Sequence, residues 1–302
     1  MTTASQSGVM SANGVQIAFE TFGDRGGRPL LMVMGLGSPM LAWRPELCAL
    51  LAERGFFVIR FDNRDVGRST HLHDAPPPDL MAALMGNVSS ASYTLDDMAE
   101  DGFGLLDGLN LPAAHVLGAS LGGMIAQTMA ARRPERVLSL TSIMSTPSPG
   151  LSNPKPQAQA ALMRPPAASR EASIAQVIEV SRVIGSPGYP LDEQWCTELA
   201  GQIWDQGRDP AGVMRQTLAI LASGDRTEAV RGIRVPTLVV HGDSDPLIDV
   251  AAGRRTAQLI GDADLLVIPG MGHDLPRPVW PALADALCAL ADRAGTPTRP
   301  RT

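Results

Sequence analysis

The stretch HVLGASLGGMIAQ, residues 115–127, decides the fold of this chain. It begins with a short apolar run, passes through the pentapeptide GASLG (residues 118–122) and continues as an amphipathic helical pattern over residues 121–133. A serine between glycines at a strand-to-helix turn is exposed on a tight bend, because larger neighbours would clash with the strand and the helix. The helix N-terminus also directs the backbone N–H of Leu121 at developing negative charge. The stretch therefore predicts a nucleophilic Ser120 at the end of a buried strand.

Short apolar runs and helical patterns alternate along most of the sequence. The runs are bounded by Gly, Pro or Asp and are apolar at successive positions, as strands buried on both faces must be. They cover residues 30–34, 56–61, 115–117, 137–143, 237–240 and 265–268. The helical patterns cover residues 43–54, 95–109, 121–133, 251–260 and 279–294. This alternation predicts an α/β fold with a mostly parallel central sheet and helices on both faces. Residues 15–22 alternate apolar and polar side chains and predict an antiparallel edge strand.

One region interrupts this alternation. Residues 146–222 show no strand pattern, begin with a proline-rich stretch and continue as helical patterns. We therefore predict a helical cap over 146–222, inserted into an α/β core formed by 1–145 and 223–295, and a flexible tail over 296–302. The irregular stretch 71–93 is long for a connection, and loops of that length are usually functional or disordered.

Composition and charge narrow the partners. The chain has 302 residues, of which 44% are hydrophobic and 19% charged, a globular composition. The net charge is −6 with no block of Lys or Arg, which argues against a nucleic-acid partner. No apolar run reaches the roughly 18 residues of a spanning helix, so we expect no stable membrane insertion. Residues 1–14 lack a signal-peptide pattern and the three cysteines form no C-x-x-C, so we expect a cytoplasmic protein with reduced thiols. The oligomeric state is left open.

A serine hydroxyl is a weak nucleophile at neutral pH and needs a base. Among the five histidines, His273 lies in a loop just after the last strand pattern, at the edge where open α/β sheets place their sites. The imidazole in turn needs a carboxylate that orients it. Asp243 and Asp245 follow the strand at 237–240, and from position alone either of them could serve.

A second donor for the oxyanion is expected from the loop after the first parallel strand, which reads MGLGS over residues 34–38. The glycines let backbone N–H groups face the site, and Leu36 is the expected donor beside Leu121. A dinucleotide-binding interpretation of this G-x-G fails, because no third glycine follows at the required spacing.

His71 and His73 lie in the string HLHD, which superficially suggests a metal site. No third and fourth ligand group is visible nearby in the sequence. A solvated loop is the preferred interpretation, and we expect no metal here.

With these residues in place, the sequence resembles the α/β-hydrolase superfamily along nearly its whole length. It looks most like bacterial esterases and lipases of the mycobacterial type and the aclacinomycin methylesterase group. The matching stretches are residues 30–43, 58–70, 115–127, 236–247 and 268–276. The order Ser, Asp, His along the chain is that of this superfamily. The resemblance implies the α/β-hydrolase fold with a helical cap, no metal and no organic cofactor. It also selects Asp245 over Asp243. One departure is Met34, where many relatives carry His.

These observations predict a serine hydrolase that cleaves carboxylic esters through an acyl-enzyme, with Ser120 as nucleophile, His273 as base and Asp245 as the orienting acid. A small-molecule ester with a short to medium acyl chain is the expected substrate. The expected apolar pocket consists of Gly35, Met40, Met81, Met85, Met124 and Met163. Other reactions on the same triad stay open: a methylesterase or other hydrolase of a bulky natural product, a thioesterase, a C–C hydrolase or a cofactor-free peroxidase. An alternative of another class is a ligand receptor that retains the triad.

Overall fold

The structure, a computed structural model, describes residues 6–294. Eight strands of this region form one sheet: β1 Gln6–Ala12, β2 Val15–Phe22, β3 Arg28–Val33, β4 Phe56–Phe61, β5 Ala114–Ala119, β6 Val137–Ile143, β7 Thr237–Gly242 and β8 Asp264–Ile268. Their order in the sheet is β1-β2-β4-β3-β5-β6-β7-β8. β2 is antiparallel to β1 and β4, and all other neighbours are parallel. The predicted α/β fold with an antiparallel edge is confirmed.

Helices follow most strands. They are α1 Pro45–Glu53, α2 Leu80–Leu84, α3 Leu95–Gly108, α4 Leu121–Arg132, α5 Pro156–Leu162, α6 Arg170–Ile184, α7 Glu193–Gln206, α8 Pro210–Ser223, α9 Thr227–Arg231, α10 Val250–Ile260 and α11 Trp280–Ala294. The stretch 71–93 contains the five-residue α2. Within residues 6–294, none of the helices is long and apolar enough to cross a membrane.

The hydrophobic core lies on both faces of the sheet, and β3 shows why its sequence is apolar without alternation. Leu31 and Val33 pack with side chains of α3 and α4 on one face. Leu30 and Met32 pack with α1 and α11 on the other. All four are shielded from solvent, and full burial of such a side chain contributes about 1.5–3 kcal/mol. A polar residue at any of these positions would face one of the two cores.

Five helices, α5 to α9, lie between β6 and β7, and no strand interrupts them in the part of the chain that the structure describes. The helical character predicted for this segment agrees with that arrangement. Its division from the core at residues 146 and 222 stays a prediction, and α8 continues past the predicted boundary. The predicted tail, 296–302, lies outside the described residues.

His115 is buried near the amino end of β5, whereas Ser120 follows the carboxyl end of the same strand. Its Nδ1 lies 2.8 Å from the hydroxyl of Ser139, and its ring meets the edge of Phe56. Burial lowers the pKa of His115 to about 4, and the positive charge of Arg28 acts in the same direction. The folded protein therefore holds this ring neutral at pH values where a solvated histidine would take up a proton.

We expect this histidine to make the folded state less stable in acid. The unfolded chain binds a proton near pH 6.5 and the folded chain only near pH 4, so the stabilisation is complete above the first value and lost towards the second. His115→Gln should reduce the fall in unfolding free energy between pH 7 and pH 5 by about 2 kcal/mol. Urea titrations of both proteins at the two pH values measure this. An equal fall in both would show that another group causes it.

Candidate active site

Ser120 lies between β5 and α4 in a backbone conformation that L-residues rarely adopt, with φ 55° and ψ −121°. Its N–H donates to the carbonyl of Ile143 at 2.9 Å, and its own carbonyl accepts from the hydroxyl of Ser145 at 2.8 Å. A non-glycine residue at positive φ costs on the order of 1–3 kcal/mol and persists only where the surroundings enforce it. Hydrogen bonds to the neighbouring strand end therefore hold Ser120 on the bend.

The close approach of α4 to the sheet depends on Gly122. A Cβ atom at this position would lie 2.0 Å from the carbonyl oxygen of Val33, at the end of β3. Because backbone atoms cannot give way as a flexible side chain can, any larger residue would push the helix off the sheet. The glycine thus keeps the first turn of α4, and with it Ser120, against the edge of the sheet where β3 ends.

Ser120 begins a chain of hydrogen bonds through His273 to Asp245. The Ser120 hydroxyl oxygen lies 3.0 Å from Nε2 of His273, and the opposite ring nitrogen, Nδ1, lies 2.8 Å from Oδ2 of Asp245. Since a carboxylate only accepts, Nδ1 carries the hydrogen, and in the neutral ring the lone pair of Nε2 then faces the serine. These distances are short enough for proton transfer from the hydroxyl to the ring.

Asp245 is buried behind the histidine, just beyond the end of β7. Its Oδ1 accepts the backbone N–H groups of Leu247 at 2.8 Å and Ile248 at 3.0 Å. Burial alone raises the pKa of this carboxyl, but the charge of His273, with hydrogen bonds from two histidine rings and the backbone, holds that pKa well below its usual range. Asp245 is therefore an anion wherever the protein is folded near neutral pH.

Asp243 has a different position, which separates the two carboxylates that the sequence offered. It is exposed, and its Oδ1 accepts the N–H of Gly270 at 2.7 Å and the hydroxyl of Ser244 at 2.9 Å. It thus links the loop after β7 to the loop that carries His273. The carboxylate that meets the imidazole is that of Asp245.

His241 is a neighbour of the acid whose contact the sequence did not reveal. It is fully buried at the end of β7, and its Nε2 lies 2.8 Å from the carbonyl of Ile248 and 3.5 Å from Oδ2 of Asp245. Its burial identifies it as a core residue. The position of a histidine four residues before the acid was the signal available.

The loop after β3 lies directly against the nucleophile. A Cβ atom on Gly35 would come within 3.3 Å of the Cβ of Ser120, and the turn closes with a 3.2 Å hydrogen bond from the N–H of Ser38 to the carbonyl of Gly35. Leu36 lies inside this turn, and Leu121 is the first residue of α4, where N–H groups have no acceptor within the helix. The assignment of these two N–H groups to an oxyanion stays a prediction.

The family model described as the alpha/beta hydrolase fold matches residues 28–276. The chain belongs to this family. Its predicted resemblance to the superfamily and to the methylesterase group is confirmed, and its predicted fold likewise.

This alpha/beta hydrolase is 28% identical over 291 residues to the rhodomycin D methylesterase of Streptomyces peucetius, which covers 89% of this chain and 93% of the relative. It is 32% identical over 184 residues to the pimeloyl-[acyl-carrier protein] methyl ester esterase of Chromobacterium violaceum. That match covers 61% of this chain and 70% of the relative. Among solved structures, the enol-lactonase of Burkholderia xenovorans LB400 superposes with a TM-score of 0.73 at 23% identity, covering 94% of this chain and all of the other. This last likeness shows the fold alone.

The structure divides the methionines of the expected pocket into two groups. In the alpha/beta hydrolase core, Met40 and Met124 are buried, and Met124 packs in the core cluster between the sheet and α4. Met81, Met85 and Met163 are 68%, 81% and 69% exposed. Side chains this exposed do not form a buried wall beside Ser120, which corrects the sequence-based picture of the pocket.

The reason lies in which faces α2 and α5 bury. α2 buries Ala83, and α5 buries Ala158 and Ala161. These helices are short and approach their neighbours through small residues, so the large side chains on and just after them point outward. Apolar composition indicated burial here but could not say which apolar residue faces inward. A role of the three methionines in binding substrate stays a prediction.

His71 and His73 have a third candidate ligand nearby. Oδ2 of Asp209, at the N-terminus of α8, lies 2.9 Å from Nδ1 of His71, and one ligand atom of each of the three residues lies within 4.8 Å of the others. The same oxygen accepts a 2.9 Å hydrogen bond from the guanidinium of Arg215, whose charge opposes a cation there. The structure therefore brings a third candidate ligand, distant in the sequence, next to the two histidines, and the expected absence of a metal stays a prediction.

Proposed function

We propose that this alpha/beta hydrolase cleaves carboxylic esters through an acyl-enzyme formed on Ser120. The observation that carries the proposal is the continuous chain of hydrogen bonds from the Ser120 hydroxyl through His273 to the buried Asp245. Two similar curated proteins bear names of methyl ester hydrolases, which supports the same bond type. A small-molecule ester is the proposed substrate.

The reaction follows from the geometry. As Oγ of Ser120 attacks the carbonyl carbon, Nε2 of His273 takes the hydroxyl proton and the carbonyl electrons move to oxygen. When the tetrahedral intermediate collapses, the C–O bond to the alcohol breaks and His273 gives its proton to the leaving oxygen. Water then repeats the sequence on the acyl-enzyme and releases the acid. Asp245 stays ionised throughout and stabilises the imidazolium.

Two backbone N–H groups are proposed to hold the negative oxygen of the intermediate. They are those of Leu36, in the turn against Ser120, and Leu121, at the start of α4. Loss of one such donor typically costs about 2.7–4 kcal/mol of transition-state stabilisation, because the donors are fixed before charge develops. A ligand receptor that retains Ser120, His273 and Asp245 would differ from an esterase in its turnover, because it would hydrolyse the bound ester only very slowly.

A second candidate concerns the acid part of the ester. Both relatives are named for methyl ester hydrolysis, one of rhodomycin D and the other of pimeloyl-[acyl-carrier protein], so a methyl ester of a bulky acid is the alternative substrate. The two candidates share the chemistry at Ser120 and differ in whether the acyl or the alcohol side determines recognition.

A series of 4-nitrophenyl esters from acetate to octanoate tests the proposal. Since each buried methylene contributes about 0.8 kcal/mol, kcat/KM should rise several-fold for every two carbons until the acyl site is full. The matched control is a hexanoyl chain against a chain of equal length that ends in a carboxylate, which should be a poor substrate. Binding without turnover across the whole series would favour the receptor. If kcat/KM were highest for the acetate ester, the proposed preference for longer acyl chains would be wrong. Faster turnover of methyl esters of bulky acids would favour the second candidate substrate.

A further inference from the structure

The side chain of Gln216, in the middle of α8, is fully buried between two loops at the edge of the sheet that carries Ser120. Its Oε1 accepts the backbone N–H of Gly37 at 2.8 Å, and its Nε2 donates to the carbonyl of Arg64 at 2.8 Å. An N–H needs an acceptor and a carbonyl needs a donor, so only this orientation of the amide satisfies both contacts. One side chain from the segment between β6 and β7 thus joins the loop after β3 to the loop after β4.

Gly37 belongs to the turn that contains Leu36, the proposed oxyanion donor. Its φ is +62°, and a Cβ there would lie 2.8 Å from a methyl group of Val213, also in α8. A glycine in this region rotates easily between alternative peptide orientations. The hydrogen bond to Gln216 removes that freedom, because it fixes the direction of the N–H of Gly37, in the peptide that follows Leu36.

The loop after β4, which Gln216 contacts at the carbonyl of Arg64, is held in place by further hydrogen bonds. In the loop after β4, the side chain of Asn63 donates to the carbonyl of Met34 at 2.9 Å. Asp65 forms two hydrogen bonds of 2.8 and 2.9 Å with Arg215, the residue before Gln216, and both side chains are buried. The turn at residues 34–38 is therefore held at its first residue by Asn63 and at its fourth by Gln216.

We propose that Gln216 is a positioning residue for the oxyanion site and acts through Gly37. The inference rests on the proposed function, because Gln216 can affect catalysis in this way only if the turn at residues 34–38 binds the oxyanion. Gln216 does not reach the reacting atoms. It sets the angle at which the neighbouring N–H of Leu36 meets the oxygen, and donors must be held in place before charge develops if they are to lower the barrier.

The test replaces Gln216 by Met, which has nearly the same volume and forms neither hydrogen bond, and by Glu, which keeps an acceptor for Gly37. Thr217→Val is the matched control, because Thr217 bonds within α8 to the carbonyl of Val213. For Gln216→Met we expect kcat to fall about 10–100-fold with KM within about threefold, since the loss concerns the transition state alone. The fall in kcat should be smaller for Gln216→Glu, and Thr217→Val should have the kcat and KM of the wild type.

The inhibition constant of a trifluoromethyl ketone distinguishes a role at the oxyanion site from a merely structural one. Ser120 adds to its carbonyl and forms a tetrahedral oxyanion, so its inhibition constant should rise by the same factor as kcat falls in whichever Gln216 variant folds. A fall in kcat with unchanged inhibition, or a rise in KM alone, would overturn the proposal. Ser120→Ala is measured beside these variants. Turnover by that protein would contradict the proposed function itself, whereas its inactivity with wild-type behaviour of the Gln216 variants would contradict only the role of Gln216.

Discussion

Ser120→Ala is expected to lower kcat on the best ester by about 10⁴–10⁶-fold without unfolding the protein. The variant removes the atom that forms the acyl-enzyme, and the remaining groups can stabilise only the slower attack of water. Alanine fits the site, because Ser120 bonds to Ile143 through its backbone N–H and to the Ser145 hydroxyl through its backbone carbonyl, and its own hydroxyl takes no part in either bond. Steady-state kinetics and thermal unfolding of the purified variant measure both parts.

Covalent labelling provides an independent check on the same atom. A fluorophosphonate should add one group to the wild-type chain, on the peptide that contains Ser120, and none to Ser120→Ala. Ser244→Ala is the matched control, since Ser244 lies in the loop after β7 and its hydroxyl bonds to Asp243 rather than to the histidine. Near-wild-type turnover by Ser120→Ala, or a label on another serine, would refute the central assignment.

The three residues of the proposed triad could be predicted from the sequence because each lies in a local signal. Ser120 lies between the glycines that its bend requires, and His273 and Asp245 lie in the loops that follow the strands β8 and β7. Once the strands are parallel, their carboxyl ends meet at one edge of the sheet, so three separate loops become one site. The choice between Asp243 and Asp245 needed either the family spacing or the observed contact with the imidazole.

Contacts made by the segment between β6 and β7 could not be found this way. Gln216 and Asp209 reach loops that are well over 100 residues away in the chain, and neither lies in a motif. A polar residue on a helix usually faces solvent, so the sequence gives no sign that Gln216 is buried. The same limit applies to Met81 and Met85, which were expected to line an apolar pocket and instead are exposed, one on the short α2 and the other just after it.

Asp245→Asn is expected to lower kcat about 10⁴-fold, whereas Asp243→Asn should change it by less than about threefold. The reason is which atom of the new amide meets the histidine. Oδ1 of Asp245 accepts two backbone N–H groups, so the amide of Asn must place its oxygen there and its NH₂ group where Oδ2 lay. That NH₂ group would face Nδ1 of His273 and favour the tautomer with hydrogen on Nε2.

In that tautomer an N–H, not a lone pair, faces the Ser120 hydroxyl, so the ring cannot take its proton. Asparagine at position 243 has no such consequence, because its side-chain oxygen can still accept from Gly270 and the site is exposed. The kcat of both variants on one ester, with their unfolding temperatures as a control for folding, decides the matter. Equal losses would mean that the imidazole does not depend on Asp245, and a larger loss at 243 would move the orienting acid to Asp243.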